Sequence, residues 1–203
     1  MKNSPAKNAP GERCEFCARP IEAAHGHLVD LKERRLMCSC RPCYLVLTPQ
    51  GAALGRFKAV PSRYADLGDG GLSDAQWDSL QIPIGLAFFF YNSSSKSMVG
   101  FYPGPAGATE SQLPLSVWED ICNAHPLLRS MEPDVEAFLA YQTKRGAAQQ
   151  SMIVPIDSCY ELVGRIRKKW KGFDGGDEAW REIDSFFDGL RARSDPGSAR
   201  RVS

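Results

Sequence analysis

A chain of 203 residues with 43% hydrophobic and 24% charged residues has the composition of a soluble globular protein, either one medium domain or a small one joined to a larger. A formal net charge of +1 argues against general nucleic-acid or membrane-surface binding, and no apolar run approaches the roughly 18–20 residues of a membrane span. The polar opening segment lacks the apolar core of a secretory signal, so the expected location is cytoplasmic and reducing, where clustered cysteines serve as metal ligands sooner than as disulfides.

The charge is uneven: residues 1–60 carry 10 Lys/Arg against 5 Asp/Glu, whereas residues 61–203 carry 15 against 19. In chain order, residues 1–12 read as a disordered lead and 13–48 as a Cys-rich metal-binding module. Residues 56–192 read as an α+β domain and 193–203 as a disordered tail. The module holds Cys14-Glu-Phe-Cys17, His25-Gly-His27 and Cys38-Ser-Cys40-Arg-Pro-Cys43, five of the 7 cysteines and two of the 3 histidines. Cys-x2-Cys at both ends lets each pair hold one edge of a tetrahedron, so Cys14, Cys17, Cys40 and Cys43 are the expected ligands of one structural zinc. Between the pairs, His27-Leu-Val-Asp-Leu and Arg35-Leu-Met-Cys38 flank a polar turn and predict a short hairpin. Pro42 suits the first turn of a helix running through Tyr44-Leu-Val-Leu. Knuckle, hairpin and helix follow in the order of a treble-clef or zinc-ribbon-like module.

Cys38 makes one thiol more than zinc needs. It is an alternative ligand together with His27, a candidate for passing metal to a partner, or an extra anchor for an iron–sulfur cluster, in which cysteine spacing varies more. His25 and His27, two apart on an extended strand, face the same side, and solvent exposure accounts for them without a metal. A redox dithiol at Cys14 and Cys17 lacks the surrounding βαβ unit.

Further on, Phe57-Lys-Ala-Val60 predicts a short strand in a glycine-rich link. Ser73-Asp-Ala-Gln76 is a capping box opening a helix through Leu80. Ile82 to Tyr91 is continuously apolar and returns through Met98-Val-Gly-Phe-Tyr102 as a hairpin buried on both faces. Pro103-Gly-Pro-Ala-Gly-Ala-Thr-Glu110 reads as a loop. It lacks the Lys-Ser/Thr of a P-loop, but would line the pocket if the protein were an enzyme. Ser116-Val-Trp-Glu119 predicts a capped helix stopped by Pro126, and Pro133 a further helix with Val135, Phe138 and Leu139 on one face. Met152-Ile-Val-Pro-Ile156 predicts a strand, Ser158-Cys-Tyr-Glu161 a capped helix, and Trp180, Ile183, Phe187 and Leu190 the apolar stripe of the last helix. The expected class is therefore α+β, a metal module followed by a small mixed sheet packed with helices. Cys122 and Cys159 fall on helix stripes as core residues, and His125 sits favourably at a helix C-terminus. Arg165-Ile-Arg-Lys-Lys-Trp-Lys171 is a solvated helix face. No catalytic motif is present, so an enzyme is the less favoured reading.

Several motifs together carry a resemblance. They are Cys14-Glu-Phe-Cys17, His27-Leu-Val-Asp-Leu, Cys38-Ser-Cys40-Arg-Pro-Cys43, Pro83-Ile-Gly-Leu-Ala-Phe-Phe-Phe, Phe101-Tyr-Pro-Gly-Pro-Ala-Gly-Ala-Thr-Glu-Ser and Trp170-Lys-Gly-Phe-Asp-Gly-Gly. Over about residues 13–192 the chain resembles an uncharacterised bacterial family, mainly actinobacterial, found near genes of nickel–iron hydrogenases. The resemblance implies an accessory or maturation role, with a hydrogenase subunit or maturation factor as the protein partner; the charge balance and the lack of a long apolar run are what leave nucleic acid and membrane out. The resemblance assigns no activity to particular residues.

Overall fold

The computed structural model describes residues 12–68, 71–104, 107–112, 115–142, 149–172 and 175–194. The lead expected over 1–12 and the tail expected over 193–203 lie outside these residues, apart from Glu12, Arg193 and Ser194. The chain divides into two compact units, Met1–Val60 and Pro61–Ser203.

In the first unit β1 (Gly26–Asp30) and β2 (Arg35–Ser39) form the expected hairpin, followed by the helix α1 (Arg41–Leu47). The strand β3 (Phe57–Ala59), which sequence reading set at the start of the larger domain, instead pairs antiparallel with β1, giving the order β2-β1-β3. Asp30, 1% exposed, fixes the hairpin turn. Its Oδ1 accepts from the Lys32 and Glu33 backbone N–H groups at 3.0 and 3.2 Å, and Arg56 Nη2 donates to Oδ2 at 2.6 Å. The Arg56 hydrogen bonds lead in holding the Asp30 carboxyl below its usual range, against the opposing effect of burial.

The second unit is built on a six-stranded sheet in the order β4-β9-β8-β5-β6-β7, with every named pairing antiparallel where a mixed sheet was expected. The strands are β4 (Ala65–Asp66), β5 (Leu86–Asn92), β6 (Ser97–Gly104), β7 (Gly107–Gln112), β8 (Glu136–Gln142) and β9 (Gln149–Pro155). The helices are α2 (Asp74–Leu80), α3 (Leu115–Ala124), α4 (Ile156–Arg167) and α5 (Gly176–Arg191). Successive residues of a strand point to opposite faces. Ala87, Phe89, Phe138 and Ala140 accordingly share a core with Trp77 and Leu80 of α2 and Ile121 and Cys122 of α3. Their neighbours point the other way: Phe88 meets Tyr160 of α4, and Tyr141 meets Phe187 of α5 at 5.1 Å between ring centroids. Helices on both faces explain why β5 and β8 read as unbroken apolar runs.

Three further expectations are corrected. The helix expected after Pro133 is the central strand β8. Val135, Phe138 and Leu139 mimic helical spacing, yet a strand covered on both faces needs apolar residues throughout, as Ala137 to Tyr141 supply. Its one charged residue, Glu136, is 3% exposed and ion-paired with Arg63 at 2.8 Å. Of the supposed loop at 103–110, residues 103, 104 and 107–110 belong to the paired strands β6 and β7, whose register runs from Val99↔Gln112 to Gly104↔Gly107, while 105 and 106 lie outside the described residues. Of the three capping boxes only that at Ser73 caps a helix. Ser116 and Ser158 lie inside α3 and α4, and the Ser158 hydroxyl stands 3.1 Å from the Tyr64 hydroxyl.

Candidate metal centre

The first cysteine pair sits in a tight turn. The Cys14 N–H donates to the Arg19 carbonyl at 2.9 Å and the Ala18 N–H to the Cys14 carbonyl at 2.8 Å. The second pair opens α1: Cys40 is its N-cap, Pro42 lies in its first turn, and Cys43 is one of its residues. Glu15, inside the knuckle, closes the outer edge of β2. Its N–H donates to the Cys38 carbonyl at 3.0 Å, and its Oε1 accepts from the Cys38 N–H at 2.9 Å. Phe16 packs edge-on against Phe57 of β3 at 5.2 Å. Tyr44 of α1 lies so close over Gly26 that an added Cβ would stand 2.7 Å from its ring, so any other residue here would have to displace that ring. Knuckle, hairpin and helix are thereby fixed to one another.

The result brings Cys14, Cys17, Cys40 and Cys43 together, their sulfurs all within 4.8 Å of one another and those of Cys17 and Cys40 at 3.6 Å. Four sulfurs bound at 2.3 Å around one tetrahedral ion would stand about 3.8 Å apart, so the donor set fits a single metal ion. The electrostatics agree. Burial acts to raise the Cys14 thiol, but the N–H groups of Cys40, Phe16 and Cys17 prevail and lower it to about 6. Cys43, hydrogen-bonded to Cys40 and partly desolvated, is pushed up to about 12. One thiolate is favoured by backbone dipoles and the last is opposed by its neighbours, the pattern of a site that needs a cation to ionise in full.

Cys38 does not join this group. It lies directly across the hairpin from His27 and clusters instead with His25 and His27. Residues 105 and 106 of the segment expected to line a pocket lie outside the described residues. Clefts of about 320 and 300 Å³ are lined by residues such as Trp77 and Gln142, and Trp118 and Arg129, and neither draws on that segment. Cys122 and Cys159 are buried, as their helix positions predicted. Among the described residues no helix is long and apolar enough to cross a membrane.

No curated protein and no solved structure matches the chain. A family model does match, over residues 13–194, and takes in the whole cysteine cluster and most of both units. The chain belongs to this family, the family of unknown function DUF5947.

Proposed function

We propose that the protein is a cytoplasmic zinc-binding accessory protein acting through contacts with a protein partner, with Cys14, Cys17, Cys40 and Cys43 holding one structural zinc. The observation that carries the reading is the single-ion spacing of the four thiols on knuckle and helix. In iron–sulfur clusters the cysteines are shared among several irons, so four sulfurs gathered at the spacing of one ion favour a mononuclear centre. The contact role is supported by apolar side chains on the same unit. Leu45 and Val46 of α1 are 52% and 70% exposed, and the nearby Leu54 is fully exposed. A helix pinned by the metal at its N-terminus would present Leu45 and Val46 in a fixed position. Nickel–iron hydrogenase maturation or assembly is the setting that the motif resemblance suggests.

Protein purified anaerobically without a tag is expected to carry about one zinc per chain after desalting and to be colourless. Brown protein with visible absorption would replace zinc by an iron–sulfur centre and favour a redox or metal-transfer role. Folded protein without metal would overturn the site altogether.

A further inference from the structure

The hairpin holds a second group of donors. His27 of β1 and Cys38 of β2 are register partners, and His25 precedes His27 by two residues. The donor atoms of His25, His27 and Cys38 lie within 4.8 Å of one another, and the two imidazole centroids are 4.7 Å apart. The decisive observation is on His25, whose side chain is only 7% exposed. Its Nδ1 is 2.8 Å from the Glu22 carbonyl oxygen, which can only accept, so Nδ1 carries the hydrogen. In the neutral ring that leaves the lone pair on Nε2, and this buried atom has no hydrogen-bond partner. A buried acceptor without a donor is costly unless something else satisfies it. The Glu22 carbonyl supplies the outer hydrogen bond usual for metal-bound histidine.

We propose that His25, His27 and Cys38 form a second metal site for a zinc-class divalent ion, distinct from the four-cysteine centre and open to an outside ligand. Two imidazoles and one thiolate are borderline-soft donors suited to such an ion. Three protein ligands leave one tetrahedral position for water or a donor from another molecule, the arrangement of exchangeable rather than structural zinc. His27 and Cys38 are partly exposed, which gives an ion a way in. On binding, Cys38 gives up its thiol proton to solvent while the histidines coordinate as neutral rings, so the bound site carries a net charge of +1 before the fourth ligand. Ligand atoms on one ion stand about 3.5 Å apart, and rotation of the side chains closes the remaining distance. The proposal relies on the four-cysteine zinc only for the fold of the hairpin that lies between the two cysteine pairs.

The test adds Co²⁺ to zinc-loaded, desalted protein while released zinc is followed with a chromophoric chelator. One further equivalent of cobalt is expected, with visible bands and thiolate-to-cobalt charge transfer, and without release of the first zinc. Cys38→Ser and His25→Ala should each weaken cobalt uptake by at least about tenfold while keeping that zinc. Wild type that takes up no cobalt beyond its zinc, or variants that bind as well as wild type, would overturn the second site. Should a variant lose the first zinc as well, ring-nitrogen NMR of wild type decides. His25 and His27 are expected to shift as a second equivalent of zinc is added while His125 stays fixed, and unmoved His25 and His27 would overturn the proposal. Failure of the four-cysteine reading would show separately, as desalted protein holding no zinc before any cobalt is added.

Discussion

Cys40→Ser should leave the first unit unfolded while the second remains intact. Cys40 is 6% exposed, caps α1, and is one of the donors that join the helix to the knuckle. Few other residues could compensate, since the buried apolar residues described in this unit are Cys14, Leu28, Val29, Met37, Cys40 and Val60. So small a core cannot meet the ordering entropy of its chain unaided. Structural zinc contributes an apparent ~10–16 kcal/mol to comparable small folds, as much as the whole stability of an ordinary domain. In hydrogen exchange, amides of β1 and β2 should lose protection while those of β5 and β8 keep theirs. Wild type stripped by a chelator should behave alike. A variant that binds no metal yet protects the hairpin would show that packing alone holds this unit.

The second large effect is expected at Arg63, in the second unit. Its Nη2 donates to Glu136 Oε2 at 2.8 Å, and Nη2 also reaches the Ser130 carbonyl at 3.3 Å. Glu136 is nearly inaccessible at the start of the central strand β8, and its carboxylate also accepts from the Glu132 N–H at 2.8 Å. Arg63→Ala strands a buried carboxylate, which costs about 3–5 kcal/mol and should lower the melting temperature of the second unit by roughly 10 °C or more. Replacing both partners by apolar residues should recover most of the loss, because the penalty belongs to the unpaired charge and not to the absence of a favourable pair. A loss below about 1 kcal/mol in Arg63→Ala would mean that the carboxylate is neutral or solvated.

The two cases differ in how far the sequence foretells them. The four cysteines, the hairpin between them and the helix after Pro42 follow from spacings of a few residues, and local geometry fixes what such spacings can do. The second cluster was within reach of the same reading. A hairpin closed by Asp30 opposite Arg35 sets His27 opposite Cys38, and strand alternation then adds His25. What concealed it was the assignment of Cys38 to the first site as a spare thiol. The pairing of Arg63 with Glu136, and the identity of β8 as a strand, depend on contacts distant in sequence. Seven residues with apolar groups at helical spacing suit either structure, and only the helices on both faces of the sheet decide between them. Similarly, Gly104 and Gly107 read as loop residues, although they are register partners of two antiparallel strands.

The central claim concerns the four sulfurs, and X-ray absorption at the zinc edge reads them directly. On desalted protein with one tightly held equivalent, the account predicts four sulfur neighbours at about 2.3 Å. Nitrogen neighbours at about 2.0 Å in place of any sulfur, or iron with a second iron nearby instead of zinc, would contradict it.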